Sequence, residues 1–217
     1  GVSSLVIQLA IVIVMAVANN MIARYGNDSI YGANIPLSAV GIVMKVFAIV
    51  IAFAVGIGVG GQPIVGDNFG AGNYRRVKET YRTMLIAVCI VGVIATLLLE
   101  LCPQLFISLF DSESALYNDY AQLCFRIFLG GILLTCLQKV NSIFLQAMGR
   151  PLQSTLLSLA RDVVFFVPAL LLLAPRVGVV GMLWAAPIAD VLSVLLALVL
   201  VRSEMRRLTA LEQRAAA

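Results

Sequence analysis

Four ionisable side chains stand where an apolar chain tolerates charge least. Lys45, Arg161, Asp162 and Asp190 each lie well inside a long apolar run. At the centre of a membrane span such a group costs about 2.5–3.5 kcal/mol on insertion scales. Two are positive and two negative, so they can neutralise one another within a bundle, or line the path of an ion or substrate. Asp162 and Asp190 are the local proton-carrier candidates. A carboxyl at that depth is poised between desolvation, which favours its neutral form, and a neighbouring cation, which favours the charged one.

Other chemistries lack their groups. The chain has no histidine, which removes the commonest proton carrier near neutrality and the commonest metal ligand. Cys89, Cys102, Cys124 and Cys136 show no CxxC or CxxH spacing and read as small hydrophobes. No nucleophile–base pair or ligand cluster is evident, so neither an enzyme nor a bound cofactor or metal is expected. The glycine-rich stretch 56–61 closes an apolar helix and has no lysine of the phosphate-loop type behind it, so it does not read as a nucleotide site.

Helical periodicity indicates where these side chains point. At about 100° per residue, Ser38, Gly41, Lys45, Ala48, Ala52 and Gly56 form one stripe. Small residues there would let another helix approach, so Lys45 is expected to face protein or a cavity. The first helix carries Gln8, Met15 and Asn19 on one face, with Asn20 beside it. The fourth aligns Thr135, Gln138, Lys139, Ser142 and Gln146, and the fifth aligns Ser154, Ser158, Arg161 and Phe165. Partly polar stripes on several helices point to a wet cavity and to transport. Each stripe alone could equally tie helices together by hydrogen bonds. Glu100, Asp119 and Arg126 read as a salt-bridge cluster at the outer end, and Pro168 and Pro187 as candidate kinks.

The elements that must hold these residues are membrane helices. Of 217 residues, 61% are hydrophobic and 12% charged, with a mean hydropathy of +1.02. Soluble domains carry about 25% charged residues, so a soluble enzyme, a disordered segment and a nucleic-acid-binding domain are excluded. A span needs roughly 20 apolar residues, and six stretches qualify: 3–23, 35–59, 83–102, 121–147, 154–174 and 178–201. Polar or turn-forming segments separate them, with Pro103 and an acidic pair, Asp111 and Glu113, in the third gap. Nine basic residues, Arg75, Arg76, Lys78, Arg82, Arg150, Arg202, Arg206, Arg207 and Arg214, gather at one face, against Arg24 and Arg176 at the other. The positive-inside rule then places both termini in the cytoplasm. The chain opens at Gly1 without an initiator Met or signal peptide, which reads as a cut end.

The stretch Gly61-Gln62-Pro63-Ile64-Val65-Gly66-Asp67-Asn68-Phe69-Gly70-Ala71-Gly72-Asn73-Tyr74-Arg75-Arg76-Val77-Lys78 resembles the cytoplasmic loop after the second helix of a lobe in the multidrug and toxic compound extrusion (MATE) family. Gln62, Pro63, Gly66, Asn68, Gly70 and Gly72 carry that motif. Phe144-Leu145-Gln146-Ala147-Met148-Gly149-Arg150-Pro151 is similar to the family's "FQAxG(K/R)P" turn, and Leu157-Ser158-Leu159-Ala160-Arg161 to its "SLxR". Trp184-Ala185-Ala186-Pro187-Ile188-Ala189-Asp190 resembles the last helix of the MepA-like branch.

The resemblance runs over essentially the whole chain. It implies an all-α membrane protein of six transmembrane helices, the C-terminal lobe of a twelve-helix antiporter. Such a protein exports cationic or amphipathic drugs in exchange for H⁺ or Na⁺ by alternating access in the bacterial plasma membrane. Residues 1–203 would form the lobe and 204–217 a short cytoplasmic tail. The partner would be an N-terminal lobe or, alternatively, a second copy of this chain. Lys45, Arg161, Asp162, Asp190, Asn19, Asn20 and Gln138 are the expected cavity and coupling residues. The sequence departs from one branch of the family in having Asn19 and Asn20 but no acid on the first helix. Two other readings stay open. A lipid-linked saccharide flippase should carry a more cationic cavity, and a non-transporting scaffold should keep its midplane charges paired and dry.

Overall fold

Every apolar stretch becomes helix in the computed structural model, which describes residues 2–32, 34–108 and 114–216. The elements are α1 (Val2–Asn27), α2 (Asn34–Gly70), α3 (Tyr74–Leu101), α4 (Pro103–Ser108), α5 (Ala115–Phe128), α6 (Ile132–Ala147), α7 (Pro151–Leu159), a π-helical segment (Ala160–Phe166), α8 (Val167–Leu183) and α9 (Ala185–Ala216). Among the described residues there is no strand. The acidic pair Asp111 and Glu113 lies outside the described residues.

Five helical stretches are long and apolar enough to cross a bilayer, and α5 with α6 makes a sixth span bent by 44°. The six expected spans therefore correspond to the observed ones, the fifth and sixth parting at Gly178, whose φ of 69° breaks the helical path inside α8, close to the gap expected between residues 174 and 178. Two differences remain. First, the fourth is broken at Leu129–Gly131, although nothing polar interrupts it. A Cβ on Gly130 would stand 2.6 Å from the Arg126 carbonyl oxygen, so the tight turn that ends α5 admits only glycine there. Second, α2 continues far beyond its apolar part. Its 37 residues, at about 1.5 Å each, exceed a hydrocarbon core of about 30 Å.

The expected cytoplasmic loop is consequently mostly helix. Gln62, Pro63, Gly66, Asn68 and Gly70 all belong to α2, and only Gly72, at φ 76°, sits in the turn before α3. Polarity marks where lipid ends, and a helix need not end with it. The Asn68 amide, donating to the Ile64 carbonyl at 2.8 Å, binds within its own helix.

Close helix approach explains the glycine-rich stretch. Gly58 faces Ile143 on α6 and Gly61 faces Met84 on α3, each too near for a Cβ without a shift. Around them α2, α3 and α6 share a core with Val43, Val65, Val77, Val88, Val140 and Phe144 at its centre. A separate cluster of Ile22, Leu170, Ala174, Met182 and Ala185 joins α1 to α8 and the start of α9.

Much of the polar striping ties helices together. Ser142 donates to the Ser154 carbonyl at 3.1 Å and bonds the hydroxyls of Ser154 at 2.9 Å and Ser158 at 3.0 Å. Tyr81 donates to the Asn141 side chain at 2.6 Å, joining α3 to α6. Pro187 does not kink a helix, because it falls in the first turn of α9, where its missing N–H has no intrahelical partner to lose. Pro168 follows the π-helical segment directly, and that wider turn takes up the irregularity a proline imposes.

Residues 204–216 continue α9 without a break. Glu204, only 4% exposed, receives Arg150 at 3.1 Å and Arg207 at 3.3 Å, Leu208 is fully buried, and Glu212 pairs with Lys78. By contrast, among the described residues Glu100, Asp119 and Arg126 form no ion pair with one another. Asp119 and Arg126 point outward, so the expected outer cluster does not assemble.

Candidate functional site

The first two helices leave a gap that α5, α6 and the π-helical segment close from behind. The resulting cavity is about 920 Å³. Its walls are largely apolar, with Met15, Met44, Phe47, Ile51 and Phe166 among the lining residues, and its charged lining residues are Lys139, Arg161 and Asp162.

Arg161 organises that charged end. Its Nε donates to Asp190 Oδ1 at 2.9 Å and its Nη1 to Asp162 Oδ1 at 2.6 Å. The three side chains are 11%, 2% and 11% exposed respectively for Arg161, Asp190 and Asp162. A guanidinium can do this because its donors lie in a planar fork with two usable edges. The guanidinium carbon also stands 5.9 Å from the centre of the Phe47 ring, within cation–π range. Phe47 in turn meets Phe128 edge-on at 6.2 Å. The charged group is thereby fixed by salt bridges on one side and an aromatic wall on the other.

Local structure places each member. Arg161 and Asp162 occupy the π-helical segment, whose extra residue per turn recurs at functional sites in helices. Asp190 comes from the second turn of α9 and rests against Gly131 in the break between α5 and α6. Lys139 comes from α6 and lies close enough to Asp162, Arg161 and Asp190 to feel their charges.

The expected site residues therefore divide. Arg161, Asp162 and Asp190 come together, and Asn19 lines the cavity. Asn20 is exposed and does not line it. Gln138 is fully buried between helices, its Nε2 reaching the Leu157 carbonyl at 3.4 Å, so it packs α6 on α7 and does not face the cavity. Lys45 does not join the cluster either. Residues α2 buries, such as Val43 and Val46, turn toward α3 and α6, leaving Lys45 exposed on the opposite face. Among the described residues nothing lies within 4 Å of a Cβ position on Gly41 or Gly56; instead Gly41, Ala48 and Ala52 border the cavity. The fourth charge beside the cluster is Lys139. Its place on the polar face of α6 was a visible signal, and only the three-dimensional path of α5 and α6 brings it to Arg161.

The sequence model of the MatE family matches residues 3–172. The chain belongs to the MatE family. Among curated MatE-type relatives, the multidrug export protein MepA of Staphylococcus haemolyticus (strain JCSC1435) is 23% identical over 193 residues, covering 89% of this chain and 40% of that protein. MepA of Staphylococcus aureus (strain MRSA252) is likewise 23% identical over 193 residues, covering 89% of this chain and 41% of its own length. Among solved structures, a MATE transporter in the bent conformation superposes with a TM-score of 0.86 at 17% identity, covering all (100%) of this chain and 46% of that one. A multidrug resistance MATE family transporter in its outward-facing conformation gives 0.85 at 18% identity, covering 98% and 46%. The chain thus spans about 40% of the length of the curated MatE relatives it matches, and the structural likeness establishes the MATE fold. It is a membrane protein of that family, an all-α bundle of six spans.

Proposed function

We propose that this chain is the C-terminal half of a cation-coupled multidrug efflux antiporter, exporting cationic or amphipathic compounds by alternating access. The single observation that carries the reading is the cavity. It is an apolar space of about 920 Å³ with a buried ionic group, Arg161–Asp162 backed by Asp190, at its closed end. Apolar walls suit poorly hydrated, amphipathic cargo. Two carboxylates sharing one guanidinium form a group that gains or loses a proton with a change of partner, which is what coupling to H⁺ requires. Na⁺ remains the other coupling ion that the family resemblance allows. The motif residues Gln62, Pro63, Gly66, Asn68, Gly70 and Gly72 support the reading as the rigid extension and turn that join two moving helices.

The basic collar supports a reading in which the termini lie on the cytoplasmic side of the bacterial plasma membrane. An N-terminal lobe, or else a second copy of this chain, closes the open side of the cavity bordered by Gly41, Ala48 and Ala52. The test is ethidium efflux by the full-length protein containing this lobe, in cells stripped of other exporters. Asp162→Asn and Asp190→Asn at unchanged expression should each cut efflux by about tenfold or more, the scale of one catalytic-strength charge interaction. Full efflux in both variants removes the cluster from the mechanism.

A further inference from the structure

We infer that Lys139 marks a subsite for an anionic group, so that the cavity takes amphipathic compounds carrying a carboxylate on an apolar body. This rests on the efflux reading for its cargo, while the subsite itself follows from where the charges sit.

The four charges at the closed end sum to zero, yet they are not evenly spread. Arg161 sits between two carboxylates, and its fork holds Oδ1 of each. Asp190 is 1% exposed, does not line the cavity, and has its other oxygen against Gly131. The negative pole of the set is therefore turned away into the junction of α5, α6 and α9. Facing the cavity are two cations, Lys139 and Arg161, and one acid, Asp162, already bound.

Lys139 differs from Arg161 in having no bonded partner. Among the described residues its ammonium makes no hydrogen bond and no salt bridge within 4.0 Å, although the carboxylates are near enough to act on it through space. An ammonium has three donors and no acceptor, and in apolar surroundings those donors are costly to leave unmet. Water can meet them in the cavity before cargo enters. Cargo that displaces the water must replace it, and a carboxylate does so with a charge-assisted bond that a neutral or cationic compound cannot make. The apolar body of the same molecule would lie along Phe47, Met44 and Phe166.

Three radiolabelled probes with one naphthyl body separate the possibilities: 4-(1-naphthyl)butyrate, its methyl ester, and the corresponding trimethylammonium compound. Binding is measured to the full-length transporter in nanodiscs, with empty nanodiscs subtracted. The wild type should bind the carboxylate about tenfold more tightly than the ester, the preference one charge-assisted contact confers. Lys139→Gln should abolish that preference, and Lys139→Arg should keep most of it. Equal binding of carboxylate and ester by the wild type overturns the inference with no variant needed. Preference retained in Lys139→Gln also overturns it. Preference for the carboxylate in a protein that exports none of the three probes leaves the subsite standing and removes the efflux reading instead.

Discussion

The space that Gly131 leaves empty is the space Asp190 occupies. A Cβ at Gly131 would stand 2.8 Å from Asp190 Oδ2 and 3.4 Å from the Cα of Pro187. The break in the fourth span and the seat of the buried carboxylate are thus one feature. The glycine is needed for the close approach of α9, since its own φ of −87° is open to any residue.

Gly131→Ala should therefore push Asp190 off Arg161 without touching either. The expected cost is about 1–3 kcal/mol of stability, the usual penalty for forcing an atom into a filled site, together with a loss of transport. Gly60→Ala is the matched control, since nothing lies within 4 Å of its Cβ position. Thermal unfolding of the purified full-length protein, read beside ethidium efflux, distinguishes the two. Equal behaviour of both variants would show that the Gly131 contact relaxes freely.

Arg161 holds two acids, and removing it alone leaves both without their partner. Arg161→Ala should destabilise by about 3–5 kcal/mol. Combining it with Asp162→Asn and Asp190→Asn should recover much of that loss, because neither acid is then left charged without its guanidinium, although Lys139 keeps its charge beside them. A triple variant no more stable than Arg161→Ala would mean that the cluster acts through packing. Thermal shift in detergent measures the series.

The contact between α2 and α6 predicts a rescue. At Gly58 an added Cβ would meet Ile143 Cδ1 at 2.5 Å, the tip of a movable side chain. Gly58→Ala should cost about 1–3 kcal/mol from overpacking, and Ile143→Val in the same chain should restore a good part of it. A double-mutant cycle gives the coupling, and additivity of the two changes would refute the contact.

Ending the chain after residue 203 should destabilise the lobe and not merely trim it. That deletion removes Glu204, which binds Arg150 and Arg207, and the fully buried Leu208. Losing a buried leucine costs about 2–5 kcal/mol even when only its side chain goes. Folded yield in membranes and the unfolding temperature report the effect. A truncated protein as stable as the parent would make the segment a true tail.

The helices were legible because hydrophobic run length is a direct readout of bilayer thickness, and the ranges 3–23 and 154–174 needed nothing else. Boundaries beyond the lipid were not, because α2 keeps its backbone bonding through Gln62 and Asn68 after its apolar character ends. The break at Gly130 and Gly131 was not legible, since two glycines in an apolar run alter hydropathy little, and the space their missing Cβ atoms leave for the Arg126 carbonyl and Asp190 is set only by the tertiary path. For the site, depth alone grouped Lys45 with Arg161, Asp162 and Asp190. Depth says nothing of azimuth, and azimuth is decided by which face of α2 packs on α3 and α6. Gln138 and Ser142 carried the same ambiguity, because a polar residue that zips two helices and one that wets a cavity look alike in a stripe.

α9 carries two buried acids, Asp190 midway along the apolar stretch 178–201 and Glu204 just past its basic end, each gripped by an arginine from another part of the chain. Fourteen residues separate them by their numbers, which is about 21 Å along an unbroken helix. Arg161 belongs to the segment at the cavity, while Arg150 belongs to the turn that starts α7. The two arginines are thus themselves joined by a short helical stretch, and with α9 they close a four-cornered frame of two struts and two ionic joints. A frame of that kind cannot shear at one joint alone. If the joint at Asp190 opens when a proton or a cargo arrives, the strut carries the displacement to Glu204 at the basic end of the helix.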